Sequence, residues 1–475
     1  MNQLRNTKII ATIGPATNTR EKILELAEAG VDIFRFNFSH SDLDLYSKLI
    51  KDINEINEEY DHTLGILADL QGPKIRIGNI ENEKFRLKDG DIVIISSDNK
   101  LSDKTNIHIS YPGLEEDVKK GDKVFIDDGK IVLRIITDKD DGEITAKVIS
   151  GGLVTPRKGV NFPDTKMNLP SLTEKDLKDL EFILHQPVNW IALSFVRNDK
   201  NVRDLHKIIR KHKHTAKIIA KIEKPEAVKN IKKILKHSDA IMIARGDLGV
   251  EIPIEELPGT QKYLIETSIK KSKVVIVATQ MMESMINNST PTRAEVIDVA
   301  NAVLQGADAV MLSGETAMGH HPLEVVNIMD KILKGAEKSF TPPKNRPKPE
   351  PKCSTFTSDI ICFNAAKISN EVNAKAIVGL TVSGYTAFKV SSFRPTAPIY
   401  IFSKVRSILS TLNLVRGVRG FYYNKNTNTE ETHINLANIL KEKNLIKEGD
   451  IIVHTGSMPV FKKQRTNLIR IANIE

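Results

Sequence analysis

The sequence predicts an α/β fold: a closed (β/α)8 TIM barrel carrying a small inserted all-β domain, followed by a C-terminal α/β domain. Three observations predict it. Eight apolar runs precede stretches with helical patterning. That rhythm breaks between the third and fourth runs, where short alternating segments are joined by turn signals such as Asp127-Asp128-Gly129. A proline cluster, TPPKNRPKPEPK at 341–352, then precedes a fresh alternation of helix and strand patterns.

The eight runs are 8–14, 33–39, 62–70, 190–196, 217–223, 240–247, 274–280 and 309–315. They are nearly continuous in Ile, Val, Ala and Leu, as parallel strands covered on both faces must be. Amphipathic stretches at 20–29, 43–59, 173–184, 225–237, 254–272 and 292–306 supply the helices. A doubly wound open sheet is the competing arrangement. The expected organisation is a barrel at 1–71 and 160–340, an insert at 72–159, a linker at 341–352 and a C-terminal domain at 353–475. Strand patterns at 91–96, 123–126, 131–136 and 144–149 build the insert; those at 376–380, 399–402 and 451–454 build the last domain. The insert leaves the barrel from the strand ends where chemistry is expected, the place from which a lid would close.

Bulk properties narrow the function classes. A chain of 475 residues, 40% apolar and 27% charged, is expected to fold as about three soluble domains. No run approaches the roughly 20 apolar residues of a membrane span, and the first residues lead into a strand-like run without a signal-peptide core. A cytoplasmic protein is the expectation. Two cysteines, Cys353 and Cys362, make no disulfide framework and read as core thiols. The net charge of +9 falls largely on lysines of helical stretches such as 200–213 and 229–236, and aromatics are only 5% of residues. Solvated helix faces explain that excess, so neither nucleic acid nor membrane is expected as a partner. An anionic small molecule suits the positive field.

Two runs carry the chemistry. In KIIAKIE (217–223), Lys221 and Glu223 share a strand face, since residues i and i+2 point the same way. In AIMIARGD (240–247), Asp247 closes the next strand, so two carboxylates and a lysine converge. Oxygen ligation by two carboxylates suits Mg2+ or Mn2+, leaving positions for water and substrate. Taken singly, Asp247 also reads as a helix cap. The second run places Arg35, Asn37 and Ser39 on one face, a phosphate-binding pattern or an amphipathic strand with a salt bridge. The third run ends in Asp69, and Gly72-Pro73 then turns the chain sharply, bringing Lys74 and Arg76 near the site. Gly246 lets backbone approach an anion, and Thr279 offers a hydroxyl, each with a simple turn or cap as the alternative. Ser313-Gly314-Glu315-Thr316 is equally well read as a cap. No Walker A, protein-kinase glycine loop, GxSxG or HExxH motif occurs.

The segments TKIIATIGPAT, FRFNFSH, KIEKPEA, MIARGDLGVEIP, ATQMMESM, PTRAEVIDVANAV and DAVMLSGETA appear in order, and with them the chain resembles the pyruvate kinases along nearly its whole length. The resemblance implies a barrel, a β lid, a C-terminal regulatory domain and a homotetramer. It also implies transfer of a phosphoryl group from phosphoenolpyruvate to ADP, giving pyruvate and ATP. By that resemblance Lys221 stabilises the phosphoryl group, Arg35 clasps it, and Glu223 and Asp247 hold Mg2+ or Mn2+. Thr279 and the Gly246 backbone meet the three-carbon substrate, while Asn37, His40, Arg76 and Lys158 serve the nucleotide.

One departure is informative. Many members have Asp-Thr-Lys-Gly-Pro-Glu where this chain has Asp69-Leu70-Gln71-Gly72-Pro73-Lys74, and Ile77 stands where threonine is common. The pattern resembles the potassium-independent branch. A tethered Lys74 ammonium is expected to replace K+ near Asn37, Ser39 and Asp69. In the C-terminal domain Thr381, Ser383, Gly384 and Thr386 resemble an effector-phosphate loop for a sugar phosphate or AMP, with a strand-to-helix turn as the alternative. Two other classes share parts of the pattern. A metal-dependent barrel lyase acting on phosphoenolpyruvate or keto acids needs the carboxylates but no nucleotide residues. A non-catalytic basic RNA-binding protein has no use for Lys221.

Overall fold

The computed structural model describes residues 5–40, 42–81, 83–98, 101–137, 144–342, 348–425, 427–457 and 465–475. Eight parallel strands close a barrel: β1 Lys8–Thr12, β2 Ile33–Asn37, β3 Gly65–Asp69, β4 Trp190–Leu193, β5 Lys217–Ile222, β6 Ala240–Ala244, β7 Val274–Ala278 and β8 Ala309–Leu312. Closure is made by β1 against β8, with Lys8 opposite Ala309. β3 and β4 pair directly, Ala192 opposite Asp69, although the whole insert lies between them in sequence. The closed barrel thus replaces the open-sheet alternative.

Alternation along each strand divides the apolar residues between two environments. Ile9, Phe34, Ile66, Ile218 and Ile241 face the surrounding helices. Ile10, Ile33, Leu67, Ile219 and Met242 fill the lumen, with Trp190 and Ala192. All of them are essentially inaccessible to solvent. Burial of each large apolar side chain contributes about 1.5–3 kcal/mol. Following the lumen positions to the C-terminal strand ends gives Thr12, Arg35, Asp69, Ser194 and Lys221, so one periodicity produces both the core and a polar mouth.

Local signals fix the helices. Thr173 with Asp176, and Thr292 with Glu295, form capping boxes at the starts of Glu174–Ile183 and Arg293–Gln305. The helix expected over 225–237 divides at Asn230 into Pro225–Lys229 and Ile231–His237. Asn230 donates to the Arg197 carbonyl, which ties the break to the β4 loop. The stretch 254–272 becomes a 3-10 turn, Ile254–Glu256, and a helix, Leu257–Lys270, because Pro258 suits a first turn where no N–H is needed.

The insert forms a six-stranded sheet in the order Val160–Asn161, Lys123–Ile126, Ile131–Ile135, Ile144–Ser150, Ile92–Ser96, Asn106–His108. A separate pair joins Phe85–Leu87 to Gly152–Val154. Strands of two or three residues are too short for alternation to reveal.

The C-terminal sheet runs Val418–Tyr422, Ile399–Ser403, Ala376–Leu380, Ile451–Gly456, Leu468–Asn473, parallel except for the last. Residues 343–347 of the expected linker lie outside the described residues. Cys362 is buried as expected, but Cys353 is exposed, because it sits in the turn before helix Phe356–Glu371 and not within it.

This last unit closes the N-terminal end of the barrel. Its Cys362, Ile377 and Leu412 belong to the same apolar cluster as the lumen. Trp190 Nε1 donates to the Thr411 carbonyl at 3.1 Å, and the Arg394 guanidinium meets both Asp308 oxygens at 3.1 and 2.8 Å. Among the described residues no helix is long and apolar enough to cross a membrane.

A histidine pair gives the C-terminal sheet a pH dependence. His454 Nδ1 lies 3.1 Å from His433 Nδ1, and Arg470 faces His454 across the strand pair. Burial first, then His433 and Arg470, lower the His454 pKa to about 3. An unfolded histidine titrates near pH 6.5, so the contribution is complete above that pH and is lost as pH falls toward about 3. Urea titrations between pH 7 and pH 4 should show an acid-side slope in His454→Leu smaller than the parent's by up to about 1.4 kcal/mol per pH unit.

Candidate active site

The polar mouth is wired through Asp69, whose side chain is 1% exposed. Arg35 donates from Nε to Asp69 Oδ2 at 2.8 Å and from Nη1 to Thr12 Oγ1 at 2.9 Å. Lys221 Nζ lies 3.3 Å from Asp69 Oδ1 and 3.0 Å from Glu223 Oε1, and donates to Ser194 Oγ at 2.8 Å. Strands β1, β2, β3, β4 and β5 thereby each contribute a polar group to one network. Burial raises the Asp69 carboxyl, but Lys221 and Arg35 outweigh it and hold it below the usual range. Burial likewise lowers the Lys221 ammonium, and Asp69 and Glu223 more than restore it, so lysine is firmly cationic.

Glu223 and Asp247 are the carboxylates that could hold a hard cation. Burial pushes the Glu223 carboxyl up, Lys221 opposes that, and the Asp247 charge adds to the rise. Two carboxylates that repel one another at the edge of a buried cluster favour a cation between them. Among the described residues no set of three or more His, Cys, Asp or Glu side chains is grouped for a metal, so water and substrate oxygens would complete the shell.

The loops around these carboxylates hold non-glycine residues in the left-handed region: Phe195 at φ 52°, Thr279 at 68° and Gln280 at 54°. Each costs on the order of 1–3 kcal/mol and needs support. Phe195 donates its N–H to Glu223 Oε2 at 2.6 Å, fixing that carboxylate. Arg245 braces the second turn, donating from Nη2 to the Thr279 and Gln280 carbonyls at 2.8 and 3.1 Å and from Nη1 to both Asp298 oxygens at 2.7 and 2.6 Å. The braced Thr279 Oγ1 accepts from the Gly246 N–H at 2.8 Å. Thr279 and Gly246 therefore come together as expected, each being the other's partner.

On the insert side, Gly72 has φ 67°, and a Cβ there would sit 2.9 Å from Ser194 Cβ, so the exit turn requires glycine. Arg76 and Lys158 are brought together: Arg76 bridges Gly159, and Ile77 N–H donates to the Lys158 carbonyl at 2.9 Å. Their side-chain contacts are to the Arg157 carbonyl and to Asp127. Asn37 Oδ1 accepts from Ser39 N–H at 3.2 Å, and the His40 side chain lies outside the described residues. Lys74 differs from expectation. Its ion pair is with Asp247 Oδ1 at 3.4 Å, because Arg35 and Lys221 already engage Asp69.

In the C-terminal domain Thr381 Oγ1 accepts from Gly384 N–H at 2.9 Å and Ser383 Oγ from Tyr385 N–H at 3.5 Å. Thr386 Oγ1 meets Thr466 Oγ1 at 2.6 Å. These hydroxyls shape the turn into helix Tyr385–Ser392.

Ser194, Thr12 and Arg245 were not singled out from sequence as site residues. The first two carry a signal that would have found them: each is the polar residue ending the lumen-facing series of an apolar run.

A closed (β/α)8 barrel with buried cations and two carboxylates at its strand ends belongs to the class of barrel enzymes that act on small anionic substrates. Residues 4–326 match the pyruvate kinase barrel domain and 359–472 the pyruvate kinase alpha/beta domain. The pyruvate kinase of Geobacillus stearothermophilus is 41% identical over 473 residues, covering 98% of this chain and 80% of that one. That of Thermotoga maritima is 39% identical over 475 residues, covering 99% and 100%. The crystal structure of a pyruvate kinase from Cryptosporidium parvum superposes with a TM-score of 0.93 at 36% identity, covering 99% of this chain and 96% of that one. The chain belongs to the pyruvate kinase family, and its function is that of a pyruvate kinase.

The bracing role of Arg245 is open to test. Arg245→Met should fold, as judged by circular dichroism, yet lose about 10- to 100-fold in kcat/KM, because Thr279 and Gln280 relax from their strained geometry.

Proposed function

We propose that the mouth of the barrel transfers the phosphoryl group of phosphoenolpyruvate to ADP, giving pyruvate and ATP. The observation that carries this reading is the buried ammonium of Lys221, held between Asp69 and Glu223 and fixed by Ser194. Phosphoryl transfer needs positioned positive charge more than covalent chemistry. Lys221 supplies it beside the transferred group, and Arg35, preset by Asp69 and Thr12, presents its guanidinium to the phosphate oxygens. Thr279 and the Gly246 N–H receive the substrate carboxylate, exchanging their mutual hydrogen bond for bonds to the ligand. A divalent cation, Mg2+ or Mn2+, held by Glu223 and Asp247 would neutralise charge on substrate oxygens when bound.

Asn37, His40, Arg76 and Lys158 are assigned to the nucleotide, with the insert 72–159 acting as a lid that excludes water. The bridge of Arg76 to Gly159, next to Lys158, supports a common phosphate-binding edge. We further assign K+-independent activity, since the tethered Lys74 ammonium brings a monovalent cation of the chain's own to the mouth, where it lies 3.4 Å from Asp247 Oδ1. Thr381, Ser383, Gly384 and Thr386 are assigned to an anionic effector, a sugar phosphate or AMP, which must displace the hydroxyl contacts of the turn. A homotetramer accords with Ile297 and Leu304 of helix Arg293–Gln305 and Ile254 of the 3-10 turn, which stay exposed on the barrel's outer face. The cytoplasm is the assigned compartment, where phosphoenolpyruvate and ADP are met.

Two measurements test these assignments. Lys221→Met should lower the rate of pyruvate formation by about 10³-fold or more while Mn2+ binding persists; an active variant would remove the assigned role. Replacing tetramethylammonium chloride by KCl at constant ionic strength should leave the parent rate unchanged, and a large increase would contradict K+ independence.

A further inference from the structure

Three cations and three carboxylates meet at the mouth: Arg35, Lys221 and Lys74 with Asp69, Glu223 and Asp247. Their charges balance, yet they are not held equally. Lys221 touches three oxygens and its side chain is 13% exposed. Lys74 makes a single 3.4 Å contact, to Asp247, and its side chain is 35% exposed. It follows the sharp Gly72-Pro73 exit, where its own N–H bonds the Gly72 carbonyl at 2.8 Å. A Cβ on Gly159 would lie 3.6 Å from Lys74 Cε, so the stem passes close to the backbone just before Val160–Asn161, where the insert returns to the barrel. The ammonium is thus a mobile cation on a flexible stem, resting on a carboxylate oxygen suited to a metal.

We propose that Lys74 is a built-in competitor of the divalent cation for Asp247, released when a phosphate-bearing ligand offers its ammonium a second partner. This rests on the reading of Glu223 and Asp247 as metal ligands. Lys74 and a divalent cation cannot share the Asp247 oxygen without mutual repulsion, so cation binding to the protein alone is opposed. An anion that draws Lys74 away removes the opposition. Cation and anion affinities are thereby coupled, and by linkage each raises the other by the same factor.

The test uses the full chain and Mn2+, with free Mn2+ followed by electron paramagnetic resonance, without anion and with saturating phosphoenolpyruvate. Lys74→Met should bind Mn2+ about threefold to tenfold more tightly than the parent without anion, and the tightening caused by phosphoenolpyruvate should shrink by the same factor. Lys74→Arg, which keeps the charge, should resemble the parent. Lys224→Met removes an equal charge from the neighbouring Glu251 and serves as control for the general field. Equal Mn2+ affinity in Lys74→Met and the parent would overturn the proposal, as would an equal gain in Lys224→Met. Glu223→Gln and Asp247→Asn should lose Mn2+ binding. If they retain it, the metal-ligand reading itself fails, which is distinguishable from failure of the competitor alone.

Discussion

Asp69 ends β3 with its carboxylate almost wholly removed from water, and it accepts from a guanidinium of β2 while facing an ammonium of β5. A lone carboxylate so deeply placed would cost several kcal/mol, and so would either cation without it. The three charges are therefore mutually required, and their positions follow from strand register. Arg35 and Asp69 lie on neighbouring paired strands, while Lys221 reaches across the mouth. Everything assigned to the site builds on this arrangement: Arg35 aimed by two acceptors, Lys221 kept charged despite burial, and Glu223 fixed by Lys221 and the Phe195 N–H.

The surrounding fold explains how such a cluster stays rigid. The lumen below it is solid hydrocarbon, continuous with the core of the C-terminal domain, so the strand ends stand on a packed base. The Arg394–Asp308 pair, with both side chains 2% exposed, fixes that domain to the foot of β8. The opposite end is built for adjustment. Gly72 turns the chain out to the insert, and half-exposed Lys74, Arg76 and Lys158 lie along that connection. The more buried charges sit on strands and the more exposed ones on the connection to the insert.

Much of this was legible because two periodicities do most of the work. Period-two alternation gave the barrel strands and put Lys221 beside Glu223, and the ordered family segments gave the chemistry its name. Thr12 and Ser194 escaped notice because a single hydroxyl ending an apolar run resembles a strand terminus, and its role depends on which cation the closed barrel brings to it. Arg245 was read only as a neighbour of Gly246, since its partners Asp298 and the Thr279 carbonyl belong to other loops. The ion pair of Lys74 with Asp247 was not legible from sequence, because charge balance at the mouth depends on all six groups together. Strands Val418–Tyr422 and Leu468–Asn473 were hidden for local reasons. The first contains Gly420, where a Cβ would come within 3.0 Å of Leu409, and the second is an antiparallel edge whose apolar run is broken by Arg470.

The claim on which the account rests is that Asp69 organises the cations Arg35 and Lys221. It is tested most directly by pyruvate formation from phosphoenolpyruvate, ADP and Mg2+ in Asp69→Asn, an isosteric change that removes the charge. The account predicts a fall of about 100-fold or more in kcat/KM for phosphoenolpyruvate, with the circular dichroism of the parent retained. A variant with the parent's kcat/KM would contradict it.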